Sequence, residues 1–496
     1  MKTMIIRTGM TLILVVALLF NLGCARGKKG SPPNFIIILT DDQGYHDLGC
    51  YGSTRVKTPN LNRMAAEGMR FTDFYAQNVC GPSRAALMSG CYPIRVGEPG
   101  NVKHQHTILH PEEITLAEKL KEAGYATACI GKWHLGLMDR EAAGGWDPAT
   151  MPNAQGFDFF YGTPLFNGYT VHVDDTPFRS QLLRNGEVVQ DRIESWDFCT
   201  SDYTKEAIRW IEQHNDVPFF LYLAHNMPHI PLGAGERFKG RNPGDPYADA
   251  VEEIDWSTGE ILSCLREMEL DRNTIVFFFS DNGPWIETTH GNQPGGEPFI
   301  PPEHSGEADP LRGYKMLSWD GGHRVPCIAW APGFIPAGAV AEELVNSMDL
   351  YPTFVHLSGA DPDTTIRRDG KDITALLKNP ETYGHPDRLY YYYVYTHLQA
   401  VRRGPWKLVL PRPEFPEWTG FCGRFYGDGV EVVELYNLEE DPGETLDLAG
   451  QYPEVCDRLM DLVETARARL GDYNRIGSEA RFFEESEPRP EVNKWP

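Results

Sequence analysis

Phe35-Ile36-Ile37-Ile38-Leu39-Thr40 is an unbroken apolar and β-branched run that leads straight into Asp41-Asp42. With no polar alternation, it reads as a strand buried on both faces, the pattern of a parallel sheet. Ala126–Ile130, Phe219–Leu223 and Ile275–Phe279 repeat the pattern, and Ser280 then Asp281-Asn282 follow the last of them. Ligand sites in open parallel sheets lie beyond the carboxyl ends of the strands. Two strands distant in sequence therefore bring three carboxylates and one amide oxygen to one place. Uncompensated carboxylates so close repel, so a cation is expected, and an all-oxygen set selects Ca²⁺ or Mg²⁺ over zinc. Asp and Asn are also common in turns and caps. Either pair alone would carry little; two pairs, each ending a buried strand, carry the expectation.

Helical segments alternate with these strands. Thr58-Pro59 offers a cap and a first-turn proline to a helix with Leu61, Met64 and Ala65 on one face, stopped near Gly68. Glu112–Ala123 carries Leu116 and Leu120 at helical spacing and ends at Gly124. The alternation predicts an α/β sandwich over residues 34–385. From 386 to 496 the character changes. Leu389–Tyr395, Ala400–Leu410 and Val430–Leu435 are short, turn-separated and β-branched or aromatic, which suits an antiparallel sheet. A charged helix over Pro453–Leu470 follows, and the tail beyond Asn474 reads as a loose surface segment. Tyr390–Tyr395 reads as core strand in preference to a sugar-stacking surface. Thr288–Asp309, rich in Gly, Pro and Glu, reads as a binding loop or a variable surface loop.

A formal net charge of −24 argues against a nucleic-acid partner, which demands a basic face. Residues 1–24 read as an export signal: Lys2 and Arg7 precede the apolar run Met10–Phe20, too short for a comfortable membrane span. Gly23-Cys24 resembles a bacterial lipoprotein site. The expected address is the periplasm or the outer membrane, with membrane attachment only through a lipid anchor at Cys24. Residues 25–33 read as a tether. Of the ten cysteines, the eight besides Cys24 and Cys80 show no metal-type spacing, and both disulfides and buried thiols fit an exported chain.

Pro82 suits the first turn of a helix through Ala85, Ala86, Leu87 and Met88, ended by Gly90. Cys80 then stands at its N-terminus, where free N–H groups favour an anion. Arg84, one turn on, offers a fork of donors to sulfate-like oxygens. Cys80-Gly-Pro-Ser-Arg84-Ala-Ala-Leu-Met-Ser-Gly90 resembles the signature of the type I, formylglycine-dependent sulfatases. Asp41-Asp-Gln-Gly-Tyr45, Leu48-Gly-Cys-Tyr-Gly52, Thr58-Pro-Asn-Leu61, Gly131-Lys-Trp-His-Leu-Gly136, Ser280-Asp-Asn-Gly283, Leu311-Arg-Gly-Tyr-Lys315 and Leu435-Tyr-Asn-Leu-Glu-Glu-Asp-Pro442 have family counterparts in the same order. The pattern is most similar to the branch containing arylsulfatase A and the N-acetylgalactosamine-6-sulfatases. Ser89 and Cys91 depart from it, standing where the family usually has Thr and Arg.

The resemblance implies an alkaline-phosphatase-like α/β sandwich with a large mixed, mostly parallel sheet, plus a smaller C-terminal domain of antiparallel sheet and helix. It implies that a formylglycine-generating maturation enzyme oxidises Cys80 to Cα-formylglycine, whose hydrated form attacks sulfur. The implied metal set is Asp41, Asp42, Cys80, Asp281 and Asn282, with Ca²⁺ favoured and Mg²⁺ the alternative. Catalytic roles are implied for Arg84, for Lys132 as a sulfate-binding cation, and for His134 as the base that collapses the hydrate. His229 and Lys315 would share protonation of the departing alcohol, with His225 a weaker candidate. If the chain stays extended after Ile130, Lys132 and His134 share one face. With Arg84, these side chains would form the positive pocket that an acidic chain otherwise lacks. The expected substrate is an organic sulfate ester, either a sulfated carbohydrate or an aryl sulfate. Two alternatives remain beside it. A phosphate mono- or diester hydrolase of the same scaffold would show Ser or Thr as nucleophile and more His. A catalytically silent protein that binds sulfated glycans would lack a catalytic group.

Overall fold

The computed structural model describes residues 32–481 apart from 98–106, 140, 169–170, 174–175, 179, 286–301, 385–387 and 413–428. The export signal with Cys24, nearly all of the tether, most of the 288–309 segment and the end of the C-terminal tail lie outside the described residues. No helix among the described residues is long and apolar enough to cross a membrane.

In chain order, the main elements are β1 (Asn34–Thr40), α1 (Pro59–Glu67), β2 (Met69–Phe71), α2 (Cys80–Ser89), α3 (Leu116–Glu122), β3 (Ala126–Gly131), β4 (Phe159–Gly162), β5 (Leu182–Arg184), β6 (Glu187–Gln190), α4 (Cys199–Gln213), β7 (Phe219–Ala224), α5 (Pro246–Glu267), β8 (Thr274–Ser280), β9 (Cys327–Trp330), β10 (Ala339–Ala341) and α6 (Leu350–Ser358). Their strands form one sheet in the order β10-β2-β9-β8-β1-β7-β3-β4-β5-β6. The central run from β8 to β4 is parallel, while β9 and β5 flank it antiparallel. This is the large mixed, mostly parallel sheet expected from the sequence.

Alternation along β1 divides the core into two layers. Phe35, Ile37 and Leu39 pack with Leu87 and Met88 of α2, Leu116 and Leu120 of α3, and Phe354 of α6. Ile36 and Ile38 pack with Leu61 and Met64 of α1, Ala207 of α4, and Ile254 and Leu265 of α5. Helices thus cover both faces, which is why these strands read as continuous apolar runs. α3 begins four residues later than expected because Thr115 is its cap. Thr115 Oγ1 accepts from Glu118 N at 3.1 Å, and Glu118 Oε2 accepts from Thr115 N at 2.7 Å.

The C-terminal part contains β11 (Leu389–Val394), β12 (His397–Arg403), β13 (Trp406–Val409), β14 (Glu434–Asn437) and α7 (Pro453–Arg469), with the four strands antiparallel in that order. The expected strand Ala400–Leu410 is split in two, because Gly404, at φ 58°, makes a turn. Tyr390 and Tyr392 are fully buried core residues. Their cluster extends beyond the antiparallel sheet to Tyr75, Val79, Ala86 and Trp319, so the back of α2 rests on it. Lys407 sits between Asp320 Oδ1 at 3.0 Å and Glu444 Oε1 at 2.7 Å, all three side chains fully buried. The described part of the tail is not loose. Gly471–Asp472 pairs with Arg475–Ile476, and Arg481 holds Glu113 at 2.8 Å. All eight described cysteines are free thiols.

Candidate active site

Strand register assembles the site. β1 and β8 are parallel neighbours with Thr40 opposite Ser280, so the next residue of each, Asp41 and Asp281, emerge side by side. The Asp281 N–H donates to Thr40 O at 3.0 Å, and the Asp41 N–H to Met227 O at 3.1 Å, fixing both loops to the sheet end. Asp42 adopts φ 67°, a left-handed conformation that Asp tolerates better than most residues. Ser280 Oγ accepts from Gln43 N at 2.9 Å and donates to Asn282 O at 2.8 Å, tying the two loops together.

Cys80 is the first residue of α2, with Val79 as its cap and Pro82 in the first turn; Gly90 ends the helix at φ 67°. Its Sγ lies 3.3 Å from Asp41 Oδ1 and 3.7 Å from Asp42 Oδ1. Ligand atoms of Asp41, Asp42, Cys80 and Asp281 all lie within 4.8 Å of one another, all buried. Burial, together with Asp281 and Asp41, pushes the Cys80 thiol well above its ordinary range.

Each carboxylate has its own cation. Lys132 Nζ donates to Asp41 Oδ2 at 2.6 Å, and Lys315 Nζ to Asp42 at 2.7 and 2.8 Å. Arg84 donates to Asp281 Oδ2 through Nε at 3.1 Å and Nη2 at 2.7 Å, and to Lys132 O through Nη1 at 2.7 Å. Burial raises the Asp41 carboxyl, but Lys132, His229, Arg84 and Lys315 outweigh it and hold it well below the usual range. Asp281 goes the other way, to about 7, because burial and Asp41 exceed the pull of Arg84 and Lys132. His229 Nε2 lies 3.6 Å from Asp42 Oδ2, and burial lowers the ring to about 4 despite that neighbour. Three carboxylates thus meet three cations beside a neutral imidazole. The expected positive pocket does not come from these side chains, whose charges are spent on one another.

The donor set fits a hard divalent cation. Asn282 donates from Nδ2 to Asp42 Oδ1 at 2.8 Å, which aims its own Oδ1 elsewhere, and that buried oxygen has no hydrogen-bond partner. One orphaned amide oxygen beside three clustered carboxylates is an oxygen ligand set. A divalent cation held by these oxygens would add two positive charges to the cluster and would make the site electropositive toward an anionic ester.

Residues 33–360 match the family model described as Sulfatase, and residues 385–491 match the C-terminal region of aryl-sulfatase. The chain belongs to the sulfatase family. It is 35% identical over 505 aligned residues to N-acetylgalactosamine-6-sulfatase of Canis lupus familiaris, covering 93% of this chain and 90% of that one. Among solved structures, it resembles the PsFucS1 sulfatase from Pseudoalteromonas sp. with TM-score 0.74 and 28% identity, over 91% of this chain and 93% of that one. Ps i-CgsB in complex with k-i-k-neocarrahexaose gives TM-score 0.70 and 27% identity, over 88% and 92%. The fold of this sulfatase is accordingly the alkaline-phosphatase-like sandwich, and its activity is sulfate ester hydrolysis.

Of the residues singled out in the sequence, Asp41, Asp42, Cys80, Arg84, Lys132, His229, Asp281, Asn282 and Lys315 form one contact network. His134 is placed differently from the extended reading. Gly131 at φ 107° and His134 at φ 62° bend the chain after β3, so Lys132 turns to Asp41 while the His134 ring packs 5.3 Å from Phe166. His225 is fully buried, with Nε2 3.4 Å from Ser257 Oγ, and burial lowers it to about 3. Three aromatic residues of the sulfatase site escaped the motifs. Tyr222 of β7 lies 3.5 Å from Arg84 Nη1. The Trp285 ring lies 4.4 Å from Lys315 Nζ and 5.5 Å from the His229 ring. Phe166 lies 6.0 Å from His229. Trp285 shortly follows the Asp281 motif, a positional hint; Phe166 carries no sequence signal.

Proposed function

We propose that this sulfatase desulfates a sulfated carbohydrate with an oxygen nucleophile made from Cys80. The observation that carries this reading is the Cys80 thiol, at the first turn of a buried helix and 3.3 Å from the Asp41 carboxylate. A thiol whose ionisation is suppressed by burial and neighbouring carboxylates makes a poor thiolate nucleophile. That supports oxidation of Cys80 by a maturation enzyme to Cα-formylglycine, whose hydrate supplies the attacking oxygen. Asp41, Asp42, Asp281 and Asn282 would hold Ca²⁺, or Mg²⁺ in its place, which polarises the sulfonyl oxygens when bound.

The chain's own groups divide the remaining work. Lys132 and Arg84 fix the Asp41 and Asp281 carboxylates, and Arg84 acts through Asp281. Burial opposes the charge on Lys315, but Asp42 and Asp41 keep its proton well above the ordinary lysine range. We assign it as the proton donor to the departing oxygen, with His229, neutral at neutral pH, as the hydrogen-bonding group beside it. His134 remains the proposed base for product release. The carbohydrate reading is supported by the named relatives; 6-sulfated N-acetylgalactosamine is the first sugar to test.

Protein produced with a maturation enzyme should give a Cys80 peptide whose CH₂SH has become CHO, and should release sulfate from members of a panel of defined sulfated sugars. An active protein with an unmodified thiol would refute the nucleophile. Turnover confined to small aryl sulfates would refute the carbohydrate substrate, and faster cleavage of an aryl phosphate would favour the phosphate-hydrolase reading. We further propose export and lipidation at Cys24, supported by Lys2, Arg7, the run Met10–Phe20 and Gly23-Cys24. Loss of membrane retention in Cys24→Ala is the expected result, and unchanged retention would remove the anchor.

A further inference from the structure

A cavity of 260 Å³ lies away from Cys80, walled by residues that follow α2, precede α6, and belong to 367–371, β11 and α7. Arg95, Arg367, Arg368, Lys371, Arg388 and Arg469 line it, against only Asp349 and Asp369. Two more carboxylates reach these cations. Glu113 holds Arg368 and Arg481, while Glu479 is shared by Arg95, Arg367 and Arg469. Among the described residues, these seven cations thus share four ion-paired carboxylates, a local surplus of positive charge in a chain of net charge −24.

Donors are left over within this cluster. Arg367 pairs with Glu479 through Nη1 alone, and Arg469 uses only Nε and Nη2. Arg368 Nε is buried without a hydrogen-bond partner in a side chain that is 8% exposed. Lys371 meets Asp349 through its backbone N–H, and its ammonium makes no ion pair among the described residues. Surplus positive charge in a recess draws in an anion, and guanidinium forks match tetrahedral oxyanions. The volume falls just below the about 300–1,000 Å³ of sites for drug-sized ligands, so it suits one small anion. Arg368 donates to Ser89 O at the far end of α2. Nine residues of helix rise place that end about 13 Å from Cys80, so the cavity is not the catalytic site.

We propose that this cavity is a second anion site that takes a sulfate-like tetrahedral oxyanion, either free inorganic sulfate or the sulfo group of a sugar. The charge cluster is independent of how Cys80 works, so failure of one reading leaves the other standing. The test is calorimetric titration of the full chain with sodium sulfate, against chloride at matched ionic strength, for the native protein and for R367Q/K371Q. Both substituted side chains are solvent-accessible, and K371Q alone serves if the pair folds poorly. The native protein should show a binding event that R367Q/K371Q weakens at least tenfold, while aryl-sulfate turnover and sulfate-free melting temperature stay unchanged. Superimposable isotherms for native and variant would overturn the proposal. Galactose 6-sulfate identifies the source. Tighter binding than inorganic sulfate at the same event marks a glycan site, and weaker binding marks a site for the free ion.

Discussion

Arg84 donates twice to the buried Asp281 carboxyl, so its removal leaves that group buried without its donors and pushes it further toward holding a proton. Arg84→Ala should therefore lower stability by about 3–5 kcal/mol, and Arg84→Ala with Asp281→Asn should recover part of that loss. Urea unfolding of both variants decides it: loss of activity at unchanged stability would make Arg84 a substrate-binding fork instead. The residue was legible in the motif; its partner was not, because only the β1–β8 register brings Asp281 to it. Cys91 teaches the same point from the opposite side. The sequence shows a missing family arginine, but a guanidinium is present in space, since Arg481 Nη2 lies 3.4 Å from Cys91 Sγ. Position 91 is fully buried. Restoring the family residue as Cys91→Arg should thus destabilise by about 1–3 kcal/mol through overpacking, with added like-charge repulsion, and Arg481→Ala should relieve it. A stabilising Cys91→Arg, read by thermal melting, would show that the two guanidiniums are compatible.

At the scale of elements, the central strands were legible because burial on both faces removes the polar alternation that blurs other strands. Boundaries were less so. α3 starts at Leu116, where a reciprocal cap overrides the helical spacing of the residues before it. Thr115→Ala removes the acceptor for Glu118 N and the donor to Gln155 O, and should cost about 1 kcal/mol with catalysis intact. Thermal unfolding with a parallel rate assay checks this, and a matching loss of kcat would tie α3 to the site. The split of Ala400–Leu410 turned on one glycine, and the turn after β3 on Gly131 and His134 in left-handed conformations. Such single-residue bends were decisive here because each re-aims every side chain after it.

Across the whole molecule, the second sheet was legible, but not its dependence on the first. Lys407 ion-pairs with both Asp320 and Glu444 where the two meet; Lys407→Met would leave Glu444 buried without its ammonium partner, while Asp320 keeps Arg324 at 3.7 Å. A loss of about 3–5 kcal/mol in urea unfolding is expected; a neutral effect would show that the pairing adds nothing to docking. The acidic balance also shapes the response to pH. Glu253 of α5 accepts from Gly235 N at 2.9 Å, and burial raises its carboxyl from 4.5 to about 7, with Asp197 adding to the shift. Between those two values the native state keeps a proton that the unfolded chain has lost. The contribution of Glu253 to stability therefore falls as pH rises through this window, by an amount on the order of 2 kcal/mol. Asp47, raised by burial to about 6, contributes in the same direction. Carboxylates held low by cations, such as Asp41 and Asp320, act in the opposite sense only at more acid pH. Buried His225, His229, His323 and His397, lowered to about 3 or 4, act the other way below their ordinary 6.5, so the test is a comparison: from pH 5 to 7 the urea midpoint of the native protein should fall relative to that of Glu253→Gln, which carries no ionisable group at that position. Equal slopes for the two proteins would show that Glu253 does not keep its proton across this window.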